Sequence, residues 1–437
     1  MMVNKFRLGD IANVDISGVD KKTKEGETSV RLCNFTDVYY NWAITKNMYD
    51  SFMEASASDN DIQSFLLHKG MVAITKDSET RDDIGIATYI ADDFTDVVLG
   101  YHCALITPKE DNPENERIYG KYLNAFLHTQ YAQEYFSNNA TGSGQRYTLS
   151  KEAIEDMPVI LPSYKDQKKI GDFLSNLDCK IELNNLIKEK LIEMAKQIYD
   201  YWFVQFDFPN DDQRPYRLSG GKMVWNNILK REIPEGWEVC PMSEKVSKKS
   251  GDWGQDYKQP DRSMLVNCIR GADFKDPYNA PVRYINKDSE SLLEEGDIIV
   301  EISGGSPTQA TGRSLYVTKG LLENYNNHLV CSNFCRGLVL KEKELSAYFY
   351  FTWQLLYNND NMFNYEGKTS GIKNLLLDVL LENIWVFPKP SIYKQFNESL
   401  SGIIDMMDVC DKEIQYLTDN RSFYLTLLLN GQIKIKD

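Results

Sequence analysis

Apolar residues recur at alternating spacings of four and three along two stretches of the chain. The first begins at Pro162 and sets Ile170, Leu174, Leu177, Ile181, Leu191 and Ile198 on one helical face. The second begins at Pro388 and does the same with Phe396, Leu400, Ile403, Met407, Ile414, Leu417 and Tyr424. The two are in register, with Ile170 aligned to Phe396, 226 positions further on. A repeat averaging about 3.5 residues suits a left-handed coiled coil. Helices this long must have their seams covered. The nearest cover for each is the other, packed antiparallel within the chain. Separate globular cores, or a dimer through the seams, are the alternatives. Asn184 and Cys410 occupy matching positions in mid-seam, where a polar residue can set register at a cost in stability.

Ahead of each stretch the pattern shortens to strand-like alternation, and it too occurs twice. Val30, Leu32 and Phe35 alternate with polar neighbours, and VAITKD (72–77) follows a glycine turn. GIATYIADD and VVLGYHCALITPK read as further strands, and Tyr119–Phe136 as one helix or two. Thr141 to Gly144 reads as a flexible loop, and Ser150 as the cap of a short helix. The order then returns. LVNCIRGADF (265–274) matches VRLCNFTDVY (30–39), and the strand at Ile298 matches that at Val72. NHLVCSNFCRGLVLK replaces TDVVLGYHCALITPK, and Ala347–Leu356 is the helix. The expected division is a first globular domain at 1–161, a central long helix at 162–205, a polar linker and second domain at 206–387, and a C-terminal long helix at 388–437.

Composition narrows the function. At 437 residues with 26% charged and 12% aromatic, this is a folded chain of several domains. No stretch has the roughly 18 apolar residues of a membrane span, and MMVNKFRLGDIA has no apolar signal core. The eight cysteines form no paired framework; Cys331 and Cys335, near His328, lack the second pair that would complete a zinc site. No H-E-x-x-H, glycine-rich cofactor loop or readable carboxylate pair is present, and Gly220-Gly221-Lys222 lacks the rest of a phosphate loop. A binding protein is therefore favoured over an enzyme. The net charge of −15 argues against a nucleic-acid role, but the distribution of charge matters more than its total.

The tandem order, the segment TGSGQRYTLSKEAIEDMPVILPSYKDQKKIGDFLSNLDCKIELNNLIKEK and the tail YDYWFVQFDFPN…PYRLSGGKMVWNNILKREIPEGWEV resemble the specificity subunits of type I restriction–modification enzymes. The resemblance covers essentially the whole chain. It implies an α+β architecture: two tandem mixed α/β target-recognition domains separated by two long helices packed as an antiparallel coiled coil. It further implies that the chain reads a bipartite site in double-stranded DNA, one half per domain, and is not itself catalytic. Two methyltransferase subunits and restriction subunits would be the partners. S-adenosylmethionine, ATP and Mg would be held by those partners, with no cofactor in this chain, and the location would be cytoplasmic. In the second copy Gly367-Lys368-Thr369-Ser370-Gly371-Ile372 stands where the first has Gly142-Ser143-Gly144-Gln145-Arg146, so the arginine of the first loop is not kept in the second. A two-headed protein–protein scaffold without DNA contact is the alternative reading.

Base edges are read mostly by Arg, Lys, Asn and Gln, while phosphate contacts set the docking register. Candidates in the first domain are Lys76, Arg81, Gln145 and Arg146. In the second they are Lys258, Arg262, Arg270, Lys275, Gln309, Arg313 and Lys368. Against each stands the plain alternative of a solvated surface charge. Tyr39, Tyr40 and Trp42 are candidates to stack on bases or wedge between them.

Overall fold

The structure is a computed structural model that describes residues 4–144, 146–258, 262–304, 309–369 and 372–436. The chain divides into two compact units, Met1–Leu183 with Tyr416–Asp437, and Asn184–Gln415. The partition falls in the middle of both long helices, Tyr164–Tyr199 and Pro390–Leu429, so each unit holds half of each.

In the first unit the central sheet has the order Ala12–Ile16, Cys103–Pro108, Val72–Thr75, Ala87–Ile90, Ala43–Ile44. Val72–Thr75 is buried along its whole length, as expected of an unbroken apolar run covered on both faces. A second sheet runs Met53–Ala57, Thr28–Cys33, Val97–Leu99, and a third runs Thr141–Ser143, Arg146–Thr148, Asp77–Ser78. Asn4–Arg7 pairs with Pro158–Leu161, which closes the domain beside the first long helix. Thr141 to Gly144 is therefore not a free loop: Thr141–Ser143 pair with Arg146–Thr148, and Gly144 lies in the turn between them. Phe35 likewise leaves the strand pattern. The Asp37 carboxylate accepts from the Asn34 N–H at 2.7 Å, and a helix begins at Phe35. The segment around Tyr119 forms two helices, Gly120–Leu127 and Gln130–Asn139, because the Thr129 side chain caps the second by accepting from the Ala132 N–H.

The second unit repeats this order. Its sheets run Val246–Ser250, Cys335–Leu340, Ile298–Glu301, Ser314–Tyr316; then Val282–Asn286, Ser263–Ile269, His328–Cys331; then Ser303–Gly304, Ile372–Leu375, Glu366–Thr369. Glu238–Pro241 pairs with Ile384–Phe387. Strand for strand the neighbours agree with the first unit, including the one parallel pair of the second sheet. Within these three sheets one strand differs among the described residues: the edge strand Ala43–Ile44 has no counterpart in the four-stranded sheet. The offset also drifts. The strand-end carbonyls of Cys33 and Ile269, bonded by the N–H groups of Gly100 and Ser332, correspond at 236 positions. That is one more than the sequence match of 265–274 with 30–39. Residues 206–237 are ordered by aromatic packing: Phe208 stacks on Tyr216 at 4.5 Å and lies 5.4 Å from Trp237, and Met223–Asn226 forms a hairpin with Arg231–Pro234.

The long helices run antiparallel in each unit. In the first, Phe173 meets Tyr424 at 5.3 Å, and the Arg421 guanidinium donates to Asp178 at 2.5 Å. In the second, Lys188 pairs with Asp411, and Trp202 and Phe203 pack on Phe396 at 5.6 and 4.8 Å. Every seam position is buried or half-buried, as are Asn184 and Cys410. The first helix ends in a π-turn, Asp200–Val204, with Trp202 and Phe203 both buried.

Each domain also locks onto the helices of its own unit. Gly171 lets the first long helix approach the helix Gly120–Leu127; a Cβ there would lie 2.8 Å from the Tyr122 nitrogen. Thr45 and Asn47 donate to Glu182 at 2.6 and 3.0 Å. In the second unit Thr318 and the Gly320 N–H donate to Asp408 at 2.6 and 2.9 Å. Trp42 is held between partners, stacked on His128 at 4.4 Å with Arg421 4.6 Å over its ring, so it is not free to wedge between bases. Burial, with Arg421 adding to it, pushes His128 down to about 4, and burial pushes Asp178 up to about 6 despite its guanidinium partner.

Candidate nucleic-acid interface

Most of the basic candidates gather at one end of each central sheet, past the last residue of Val72–Thr75 and of Ile298–Glu301. The buried strand leaves the core there, and the small third sheet pairs with the chain that follows it: Asp77–Ser78 in the first unit, Ser303–Gly304 in the second. Backbone hydrogen bonds from the third sheet thus fix the course of the chain as it leaves each buried strand.

In the first unit Lys76 Nζ lies 2.8 Å from Asp77 Oδ2, and His102 Nδ1 lies 2.5 Å from the same oxygen. Burial opposes charge on Asp77, but hydrogen bonds from Lys76, Thr148 and His102 outweigh it and hold the carboxyl below its usual range. His102 has φ of +73°, and its ring lies 3.9 Å from that of Tyr101. Arg146 is on the adjoining strand, exposed, and its side chain has no hydrogen bond or ion pair among the described residues. Arg81 is exposed but engaged: its Nε donates to the Ser137 carbonyl at 3.0 Å, at the end of the helix Gln130–Asn139. Gln145 lies outside the described residues.

In the second unit Arg313 makes a two-pronged pair with Glu301, at 2.8 and 2.6 Å. The guanidinium lies 5.8 Å over Phe274, and Gly271 packs against the Glu301 carboxylate. Arg270 is held by Asp273 in the same two-pronged way, at 2.9 and 2.7 Å. Lys275 is exposed on the turn that follows. Gln309 is exposed on the loop whose Thr311 donates its N–H to Glu366 at 2.8 Å. Lys368 lies on Glu366–Thr369; its side chain is outside the described residues. The fold thus gathers Arg270, Lys275, Gln309, Arg313 and the Lys368 strand. It does not bring Lys258 and Arg262 to them. Those two are exposed before the other end of Ser263–Ile269, roughly 20 Å away at ~3.3 Å per residue.

Sequence reasoning passed over the acids that organise these ends. Asp77, Glu301 and Glu366 each hold a cation: Lys76, Arg313 and Lys373. One signal was available, since Glu301 directly follows the apolar run Ile298–Val300, and an acid there needs a partner. His102 had none, because its partner is 25 residues away in sequence. Cys331 and Cys335 are both buried, and the Ser332 hydroxyl lies 3.8 Å from the Cys335 sulfur. No helix among the described residues is long and apolar enough to cross a membrane.

Residues 2–193 match the family described as Type I restriction modification DNA specificity domain. The chain is 24% identical over 332 residues to the type I restriction enzyme MjaIX specificity subunit of Methanocaldococcus jannaschii, covering 73% of this chain and 70% of that one. It is 28% identical over 131 residues to the HindI specificity subunit of Haemophilus influenzae, covering 30% and 28%. The fold is similar to the crystal structure of a type I restriction–modification S subunit from M. genitalium, with a TM-score of 0.54 at 14% identity, over 98% of this chain and 96% of that one.

Proposed function

We propose that this chain is a specificity subunit of a type I restriction–modification system and that its two domains read the two halves of one bipartite DNA site. It is a non-catalytic, sequence-specific DNA-binding subunit around which the other subunits assemble. The observation that carries the two-half reading is the duplicated strand order with different chemistry at the same end. The first unit offers a Lys76–Asp77–His102 cluster and an unpaired Arg146; the second offers Arg313 on Glu301 and Arg270 on Asp273. Equal frameworks carrying different donors and acceptors suit two different base sequences.

Partner binding falls to the helices. In the second unit Ile187 and Met194 of the first long helix, and Met406 and Val409 of the second, are exposed although the seam beside them is covered. Apolar side chains of that kind suit docking of methyltransferase subunits. Those subunits would bring S-adenosylmethionine and methylate adenine, and the restriction subunits would bring the ATP- and Mg-dependent cutting. The chain works in the cytoplasm with its DNA.

The test replaces residues 1–161 with the corresponding domain of another specificity subunit, assembles the chimaera with its methyltransferase, and maps the modified sites. One half of the recognised sequence should change and the other persist. A change in both halves, or in neither, overturns the reading.

A further inference from the structure

Two tyrosines align the units side chain by side chain. Tyr122 donates to the Ile160 carbonyl at 2.8 Å, and Tyr348 to the Val386 carbonyl at 2.5 Å. Donors and acceptors are both 226 positions apart, the same spacing as the two helical seams. At that spacing Arg421 corresponds to Ala195, Asp178 to Ile404 and His128 to Gln354. At the 236-residue offset of the neighbouring strand and turn, Trp42 corresponds to Tyr278.

In the first unit these four residues fill the space between domain and helices. Arg421 pairs with Asp178 and covers one face of Trp42, and His128 covers the other. What remains there is an open, largely polar cleft beside Tyr40 and Ser422. In the second unit each has been replaced by something smaller or apolar. The strand Ala43–Ile44, which directly follows Trp42, has no counterpart, and the Tyr278 hydroxyl is drawn to Asp411 at 3.2 Å. The result is a cavity of about 250 Å³ lined by Ala195, Ile404 and Gln354 and walled by the rings of Tyr199, Tyr316 and Phe351.

We propose that this cavity is a ligand site for a neutral, planar aromatic molecule of indole size. The shape follows from the first unit, where the flat indole of Trp42 lies between His128 and Arg421, the counterparts of Gln354 and Ala195. The size fits, since a cavity of ~150 Å³ already admits benzene. Neutrality follows from the rim. The charged residues of the lining, Lys188, Lys196, Asp200, Asp408 and Asp411, carry both signs, with Lys188 paired to Asp411 and Asp408 accepting from Thr318 and the Gly320 N–H, so neither sign dominates the interior. The Gln354 amide nitrogen donates to Ser314 at 2.9 Å, leaving its carbonyl oxygen to accept a ring N–H. The proposal concerns a site apart from the DNA-reading ends and does not rest on the function proposed above.

The test titrates the full chain with indole by calorimetry and by ligand-observed NMR. Saturable one-to-one binding is expected, with benzoate and benzylamine at least tenfold weaker. Two fillers from different walls, Ala195→Phe and Ala347→Leu, should each weaken indole binding at least tenfold while raising the melting temperature, as filling a real cavity does. Using two keeps the test decisive if one variant fails to fold. Indole binding that does not saturate, or that is unchanged in a folded filler variant, overturns the proposal. Equal affinity for the charged probes also overturns it.

Discussion

Arg421→Ala should be among the most damaging single changes in the first unit, and a second change should largely repair it. Asp178 and Arg421 keep only 15% and 21% of their side-chain surface exposed, and Asp178 is ionised and paired at pH 7.5. Removing the guanidinium strands a buried carboxylate, which costs about 3–5 kcal/mol. The loss of its contact with Trp42 adds about 1 kcal/mol. Adding Asp178→Ile installs the apolar pair that the second unit carries at Ala195 and Ile404. The double variant should fall only about 1–2 kcal/mol below the parent, a coupling of at least ~2 kcal/mol. Amide exchange of residues 164–183 and 416–429 in the full chain reads this locally, with protection in Arg421→Ala falling by a factor of roughly 10² or more. The sign with pH is fixed. Burial already holds Asp178 near 6, above the unfolded carboxyl, and losing Arg421 raises it further. A raised folded value means stability present at low pH and lost as pH rises through it. The deficit of Arg421→Ala should therefore shrink as pH falls from 8 toward 6. A double variant as unprotected as the single one, or a deficit flat between pH 5 and 8, would refute the reasoning.

Three further outcomes are expected. His128→Gln, which installs the residue found at 354, should blunt acid destabilisation: His128 is held near 4, so its contribution is complete above the unfolded value near 6.5 and falls away toward pH 4, by up to about 3 kcal/mol relative to the variant in urea titrations at both pH values. Tyr348→Phe should cost about 1–3 kcal/mol by stranding the Val386 carbonyl, and more than Tyr122→Phe, because the Tyr348 hydroxyl also accepts from Trp385 at 3.2 Å; thermal melts rank the two. Arg146→Ala should leave stability unchanged and lower the salt dependence of DNA binding by about one unit, whereas Arg313→Ala strands Glu301 and destabilises the second unit by about 3 kcal/mol; binding titrations over a salt series, with melts, separate the two.

Periodicity exposed the long helices and the duplication, because a seam of thirty or more residues repeats one physical requirement many times. The seam residues, the buried strands at Val72 and Ile298, and the Ser150 cap were all legible for that reason: each is a local consequence of burial or of an unsatisfied N–H. Phe35 was misread because one capping acid, Asp37, outweighs two alternating residues, and Thr141 because a hairpin needs a partner strand that composition does not announce. Tertiary structure alone decided which charges are engaged. Arg270 and Arg313 look as available as Arg146 in sequence, yet acids at the strand ends hold both. It alone seated Trp42 between His128 and Arg421, residues 86 and 379 positions along the chain from it. It also turned the substitutions at Ala195 and Ile404 from two ordinary apolar residues into the walls of a cavity. Local pattern records what each segment must bury. Which side chain meets which depends on contacts between distant segments, and those exist only once the chain has closed on itself.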